Sequence, residues 1–351
     1  MLTTLAVVGL AFSLDLLIGE PPTAIHPVAW FGRLVGAVDR PWSDDERRQR
    51  LAGVAIAALA PLVPAAVVGG VVLGATAFGP TAGGIAAALA LFLTTSLRSL
   101  LELTEDVIAA TEGVVATGAS DGSEGGSSSD GLERARERVR GLVGRDTATL
   151  SAGELRSAAV ESAAENLADG LVATLVPFAV LAPISLPAAA AAAAWIKGVN
   201  TLDSMLGYPS KPIGTASARL DDLVMYLPAR LAAAAIAVAA VDPFAIVRAR
   251  QWARAPPSPN SGWPMATLAC ALGVRLEKAD VYVLNPDAEL PTVADGERAV
   301  TVVGRAAVVS ILVAIALAIA VPELAGGLET NWQSMTASSA GSTTGVRPRW
   351  L

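Results

Sequence analysis

Apolar residues dominate long stretches of this chain, at residues 2–18, 51–79, 81–97, 171–195, 223–241 and 300–321. A helix needs about 20 predominantly apolar residues to cross a bilayer, and a spanning segment must satisfy its own backbone hydrogen bonds. The pattern therefore predicts an all-α, polytopic integral membrane protein of about five apolar segments, joined by interfacial or re-entrant polar loops. The runs at 51–79 and 81–97 are parted only by the turn near Pro80 and are expected to form a helical hairpin. Residues 171–195 carry Pro177, Pro183 and Pro187, so they either cross once with a kink or dip and return. Residues 94–115 follow the helical period, with Leu97, Leu100, Leu101, Val107 and Ile108 on one face and Arg98, Glu102 and Glu105 elsewhere. Residues 132–143 are helical and charge-laced, a solvated face. The low-complexity stretch 117–131 (TGASDGSEGGSSSDG) is predicted to be a disordered insertion. The Ser/Thr-rich residues 326–351 form a disordered tail, which leaves residues 1–325 as a single helical membrane domain.

The helix that begins at Ser151 carries the most chemistry. Ser151 followed three residues later by Glu154 is a capping box. Glu161, Glu165 and Asp169 follow at i, i+4 and i+8, positions that share one face. Like charges so spaced repel by ~0.2–0.5 kcal/mol per pair in water, and by more where the dielectric falls, as it does where Leu171 opens the apolar run. Such a stack calls for cations: arginine, an amine or a divalent metal with oxygen ligands. A solvated helix face is the plainer alternative; Asn166 among the acids, and Arg145 with Asp146 before them, favour a site.

Two loops add candidates. In WIKGVNTLDSMLGYPSKPIGTASARLDDLVMYLPAR, Lys197, Asn200 and Asp203 stand at i, i+3 and i+6, and Tyr208 lies in a Gly-Tyr-Pro turn. Arg219, Asp222 and Tyr226 then share one face of a helix that enters 223–241. An interfacial anchor set and a binding cavity both have this composition. A re-entrant path through 171–195 keeps this loop with the carboxylates; a single crossing separates them. Near the start, Pro21, Pro22 and Pro27 end the first helix and hold His26 extended. Arg98 either snorkels at the boundary or meets an anionic substrate group. Lysine and arginine counts put residues 33–50 and 98–156 on the cytoplasmic side.

With 351 residues, 53% of them hydrophobic, and a mean hydropathy of +0.54, the chain is too apolar for an ordinary soluble domain. A net charge of -7 argues against a nucleic-acid partner. One cysteine and one histidine exclude a disulfide framework, a thiolate cluster and a zinc site of several imidazoles. The amino-terminal run lacks a basic n-region and a cleavage site, so it is read as a retained first span. No phosphate loop, dinucleotide fingerprint or Ser-His-Asp arrangement is present.

Six motifs in order, DLLIGEPPTAIHP, GRDTATLS, AAVESAAENLADG, KGVNTLDSMLGY, SARLDDLVMYLPARL and SPNSGWPMA, resemble the cobalamin-biosynthesis membrane proteins known as adenosylcobinamide-phosphate synthases, of CobD/CbiB type. The resemblance runs from Asp15 to about Val300, outside the insertion. The chain departs from the family where Glu277-Lys278 replaces a frequent Gly-Gly pair, and in the alanine richness of residues 171–194.

The resemblance implies amide-bond formation in vitamin B12 biosynthesis, joining (R)-1-amino-2-propanol or its phosphate to a propionate side chain of adenosylcobyric acid. The product is adenosylcobinamide or its phosphate. ATP and Mg²⁺ are expected from the reaction type. Glu161, Glu165, Asp169 and Asp222 would either hold Mg²⁺, with Glu165 and Asp169 as the metal ligands, or accept the amine's proton, and Asn166 would orient a carboxylate or the acyl group. Arg98, Arg145, Lys197, Arg219 and Arg230 are candidates for phosphate and acyl-phosphate oxygens. His26 is assigned to the corrin or the phosphate, and Asp146, Asn200, Asp203 and Tyr208 to the substrate. The expected location is the cell membrane, multi-pass and among lipid, with other late corrinoid-pathway enzymes as partners. A membrane permease or a scaffold subunit for corrinoid intermediates is the alternative; a permease predicts matched half-repeats with broken helices, and none is seen.

Overall fold

The computed structural model describes residues 2–40, 42–115, 125–140 and 147–341. Arg145 and Asp146 lie outside the described residues, as does most of the expected insertion. The chain opens with α1 (Leu2–Ile18), α2 (Pro27–Val38), α3 (Glu46–Leu59) and α4 (Leu62–Thr76). α5 (Pro80–Thr94) turns back along α4 and continues into α6 (Leu97–Val115). The expected hairpin is thus present, with Gly79 in a positive-φ turn (φ 116) that glycine adopts freely and Pro80 in the first turn of α5. α7 (Gly125–Arg140) takes up part of the stretch expected to be disordered. Packing of residues 132–139 against α6 supplies a nucleus, and each further helical residue then adds a hydrogen bond.

α8 (Ala152–Asn166) starts at the expected capping box: Ser151 Oγ accepts from the Glu154 amide at 3.3 Å, and Glu154 Oε2 accepts from the Ser151 amide at 2.7 Å. A π-helical turn, Leu167–Val172, leads into α9 (Ala173–Leu181), so that Ala152–Leu181 is one 30-residue length. The chain reverses at residues 182–185, where Ser185 Oγ caps α10 (Leu186–Leu206) from the Ala188 amide at 3.3 Å. α10 packs back along α9 and along α4. Its alanines permit close approach: a Cβ at Gly69 of α4 would lie 3.0 Å from the Ala191 Cβ.

A 3₁₀ turn, Pro212–Gly214, precedes α11 (Thr215–Val224) and α12 (Tyr226–Ala239), which meet at a 47° bend. This corrects the expected single face of Arg219, Asp222 and Tyr226. Pro228 in the first turn of α12 has no amide for the Val224 carbonyl and clashes with it, so the helix breaks at Met225. The short α13 (Ala245–Ala249) precedes α14 (Gly262–Leu272), which stops at a left-handed Gly273 (φ 73). A hairpin the sequence pattern did not predict follows, β1 (Leu276–Lys278) antiparallel to β2 (Tyr282–Leu284). α15 (Val293–Gly341) closes the described chain. It extends helically past residue 326, where a disordered tail is expected, because propagation from a packed span tolerates Ser and Thr at a few tenths of a kcal/mol each, about 0.5.

Among the described residues four helices are long and apolar enough to cross a membrane, Glu46–Thr76, Pro80–Glu112, Ala152–Leu181 and Val293–Glu323, and the bent pair, counted as one span, makes a fifth. The protein is a polytopic all-α membrane protein. Its core gathers the inner faces of α5, α8, α9, α10, α12 and α14 around Leu91, Leu167, Leu171, Phe178, Ile236 and Met265.

Candidate functional site

The reversal at residues 182–185 returns α10 to the acidic part of α8, and two residues assigned from different segments meet there. Asn200 Nδ2 donates to Asp169 Oδ2 at 3.2 Å. Asp221 on α11 lies beside that amide and in electrostatic reach of Asp169 and Asp203. Glu165 and Asp169 are half-buried, and Glu165 lies within electrostatic reach of Glu161, Asp221, Asp203 and Lys278. Asp203 Oδ1 and Asp221 Oδ1 are buried without a hydrogen-bond partner. Acids from α8, α10 and α11 thus converge in one place, where their mutual repulsion favours a cation.

The π-helical turn bears on this geometry. Asp169 sits inside it, and such turns interrupt the 3.6-residue period. Asp169 keeps Glu165 in electrostatic reach and also accepts from Asn200. Glu161 itself is 5% exposed and is held at both oxygens, with Ser157 Oγ donating to Oε1 at 2.7 Å and Tyr282 Oη to Oε2 at 2.6 Å. Asn166 turns its amide onto its own helix, to the Ser162 carbonyl at 3.0 Å and Ser162 Oγ at 3.1 Å.

Lys197 is half-buried, with Asp169 and Glu20 in electrostatic reach, and His26 shares Glu20 and Lys197 as neighbours. The loop before α2 therefore borders the acids. His26 also caps α2, its Nδ1 accepting from the Val28 amide at 3.2 Å, and burial holds its imidazole below the usual range. On the other flank Asp222 lies 3.8 Å from Arg219, whose side chain is largely exposed. Arg230 stacks on Tyr226 at 3.7 Å and donates to Asn260 Oδ1 at 2.8 Å, while Asn260 Nδ2 donates to the Asp222 carbonyl at 2.7 Å.

Two assigned residues stand apart. Arg98 donates to the Leu16 and Leu17 carbonyls at 3.1 and 3.0 Å and pairs with Glu102 at 2.6 Å, while its backbone amide donates to the buried Asp15 at 3.0 Å. It stitches α1 to α6. Tyr208 is exposed, with Lys211 Nζ 5.5 Å from its ring centre. The sequence pattern did not single out Ser157, Asp221, Asn260, Lys278 or Tyr282. Tyr282 had a signal, the apolar run Val281 to Leu284 between Asp280 and Asn285, both of which tolerate positive φ (59 and 52).

No three Asp, Glu, His or Cys side chains among the described residues converge as metal ligands. The donor set is nonetheless that of a hard cation: Glu165 and Asp169, with orphaned oxygens on Asp203 and Asp221. One or two carboxylates are what Mg²⁺ commonly takes from a protein when phosphate oxygens and water complete its shell. Two cavities lie elsewhere, one of ≈ 340 Å³ between α6 and α15 lined by Glu105, Glu112 and Glu297, and one of ≈ 240 Å³ between α2 and α3.

The sequence profile described as CobD/Cbib protein matches residues 8–312, which contain every acid of the cluster. The chain belongs to the CobD/Cbib family. Within that family it is 33% identical over 325 residues to the "Probable cobalamin biosynthesis protein CobD" of Methanothrix thermoacetophila, covering 90% of this chain and 96% of the relative. It is 36% identical over 301 residues to the "Cobalamin biosynthesis protein CobD" of Geobacter metallireducens, covering 83% and 86%. To the protein of that name from Rhodobacter capsulatus it is 34% identical over 319 residues, covering 86% and 93%. No solved structure matches the chain.

Proposed function

We propose that this CobD/Cbib family member serves cobalamin biosynthesis as an ATP-dependent C–N ligase of the cell membrane. It joins (R)-1-amino-2-propanol or its phosphate to a propionate side chain of adenosylcobyric acid, giving adenosylcobinamide or its phosphate. The observation that carries this reading is the meeting of Glu165, Asp169, Asn200, Asp203 and Asp221 from three helices at one half-buried spot. An amide forms when a neutral amine attacks an activated carboxyl carbon; the nitrogen then sheds a proton and the leaving group departs with the acyl oxygen. A carboxylate cluster draws the substrate in as its ammonium and offers a base for that proton, with Glu165 and Asp169 in those roles and Asp222 at the edge. Lys197 faces the anionic partner, the propionate or its activated form, and His26 borders the same opening. Mg²⁺ with ATP would supply the activation that a free carboxylate lacks; Glu165 and Asp169 are the residues that would hold it, in place of the base role and not together with it. Nearby enzymes of late corrinoid assembly are the expected partners.

The test is protein purified in detergent and given adenosylcobyric acid, aminopropanol or its phosphate, ATP and Mg²⁺, with product mass followed. The amide product is expected, with Glu165→Gln and Asp169→Asn slower by about 10²–10⁴-fold, the range for losing a positioned acid or base. Product formation absent in the parent, or unchanged in both variants, would sink the proposal.

A further inference from the structure

The β1–β2 hairpin brings a hydroxyl and a cation to α8 from a part of the chain that the synthase reading leaves without a role. Asp280, in a left-handed conformation (φ 59), closes a tight turn and sets Lys278 opposite Tyr282. Cross-strand partners project from the same face of a sheet, and this face looks toward the acids. Tyr282 Oη lies 2.6 Å from Glu161 Oε2, the short distance of a hydroxyl bonded to an ionised acceptor. Lys278 is in electrostatic reach of Glu165, one helical turn further along. The other Glu161 oxygen takes the Ser157 hydroxyl at 2.7 Å, and that hydroxyl accepts from the Glu277 amide of β1 at 2.8 Å. The hairpin thus grips both ends of one carboxylate, by a side chain from β2 and through Ser157 by the backbone of β1.

From this geometry we propose that Tyr282 is a positioning residue for the acidic site, acting through Glu161, and that Glu161 is an anchored charge and not a group that touches substrate. This inference rests on the synthase reading. A carboxylate held at both oxygens keeps one rotamer and one place, so the field it exerts on Glu165 is fixed. Loss of the Tyr282 hydroxyl removes one hold on Oε2 and loosens that charge, while the ring still fills its space beside Met265.

The experiment takes the full-length parent, Tyr282→Phe, Glu161→Gln and the double variant in detergent, measuring amide formation against amine and adenosylcobyric acid concentration, and thermal stability. Each single variant is expected to lower kcat about 10–100-fold, the usual effect of removing a group that orients a ligand. KM for both substrates stays within about twofold, because neither residue meets substrate, and Tm falls only slightly, as expected when one buried acceptor loses a donor and the packing stays intact. The double variant falls no further than the slower single, since both changes cut the same interaction. Effects that multiply in the double variant overturn the inference, as does a Tyr282→Phe kcat within about twofold of the parent. A lowered Tm with raised KM marks a packing role and overturns it too. A parent that makes no amide overturns the synthase reading and this inference with it, whereas an active parent with an unaffected Tyr282→Phe overturns the inference alone.

Discussion

Asn200 stands among carboxylates as a neutral donor, bonded to Asp169 and lying beside Asp221. Asn200→Asp places one more negative charge in their midst, whereas Asn200→Ala removes the donor and leaves the repulsion. Activity is expected to fall at least about tenfold in both, and both lose about 1 kcal/mol of stability for the missing donor, the aspartate variant more because of its added charge. An Asn200→Asp protein as active and stable as the parent would contradict the convergence of charge described above. His26 offers a test by pH. Burial holds its imidazole below the usual range, with Glu20 opposing and Lys197 adding, so the folded protein favours the neutral ring. As pH falls through about 6.5 the unfolded chain takes up the proton first. Stability contributed by the neutral ring is therefore full above that pH and declines toward the folded value. Protonation also takes away the Nδ1 lone pair that caps α2. In His26→Asn, which retains a cap acceptor and does not titrate, the fall in Tm from about pH 7.5 to about 5.5 should be smaller than in the parent. Equal falls would show that the ring contributes nothing to acid sensitivity.

At the scale of elements, the features legible in the sequence are those set by local chemistry. Ser151 with Glu154 starts α8, and the turn at Gly79-Pro80 makes the hairpin. The features missed depend on interruptions of period. The i, i+4, i+8 spacing of Glu161, Glu165 and Asp169 assumed an unbroken α-helix, whereas the last member lies in a π-helical turn and bonds to α10. Arg219, Asp222 and Tyr226 were grouped on the same assumption, which Pro228 defeats four residues after Val224. Arg98 read as a loose boundary charge because nothing local reveals that α1 ends beside it with open carbonyls. The bend at Met225 carries a consequence for the site, since α11 bears Asp221 and Asp222 and α12 leaves toward the core. Pro228→Ala restores an amide for the Val224 carbonyl and lets the two helices straighten. Such a variant should retain or gain thermal stability and lose activity at least about tenfold, because the acids of α11 swing away from Asn200. Unchanged turnover would mean that the 47° bend is held by packing and not by the proline.

For the whole molecule, the path of residues 171–195 decides whether one site exists, because the carboxylates and the polar loop belong to opposite ends of that run. Ala152–Leu181 extends about 45 Å at 1.5 Å per residue, and α10 returns about 30 Å. Lys197, Asn200 and Asp203 come back to the depth of Glu165 and Asp169 for that reason, and the hydrogen bond between Asn200 and Asp169 records the return. The alternative of a single kinked crossing, open in the sequence because prolines serve a kink and a turn equally, would carry residue 210 to the far side. Cysteine labelling in intact membranes separates the two paths. Burial pushes the native Cys270 thiol up to about 11, so it stays largely protonated and unreactive toward a membrane-impermeant maleimide. Single cysteines at Ala148, at the exposed Ile184 of the turn and at Ser210 then report each side. Ala148→Cys and Ser210→Cys should label from one face and Ile184→Cys from the other. Labelling of Ala148→Cys and Ser210→Cys from opposite faces would separate the acids of α8 from Asn200 and dissolve the site into two unrelated clusters.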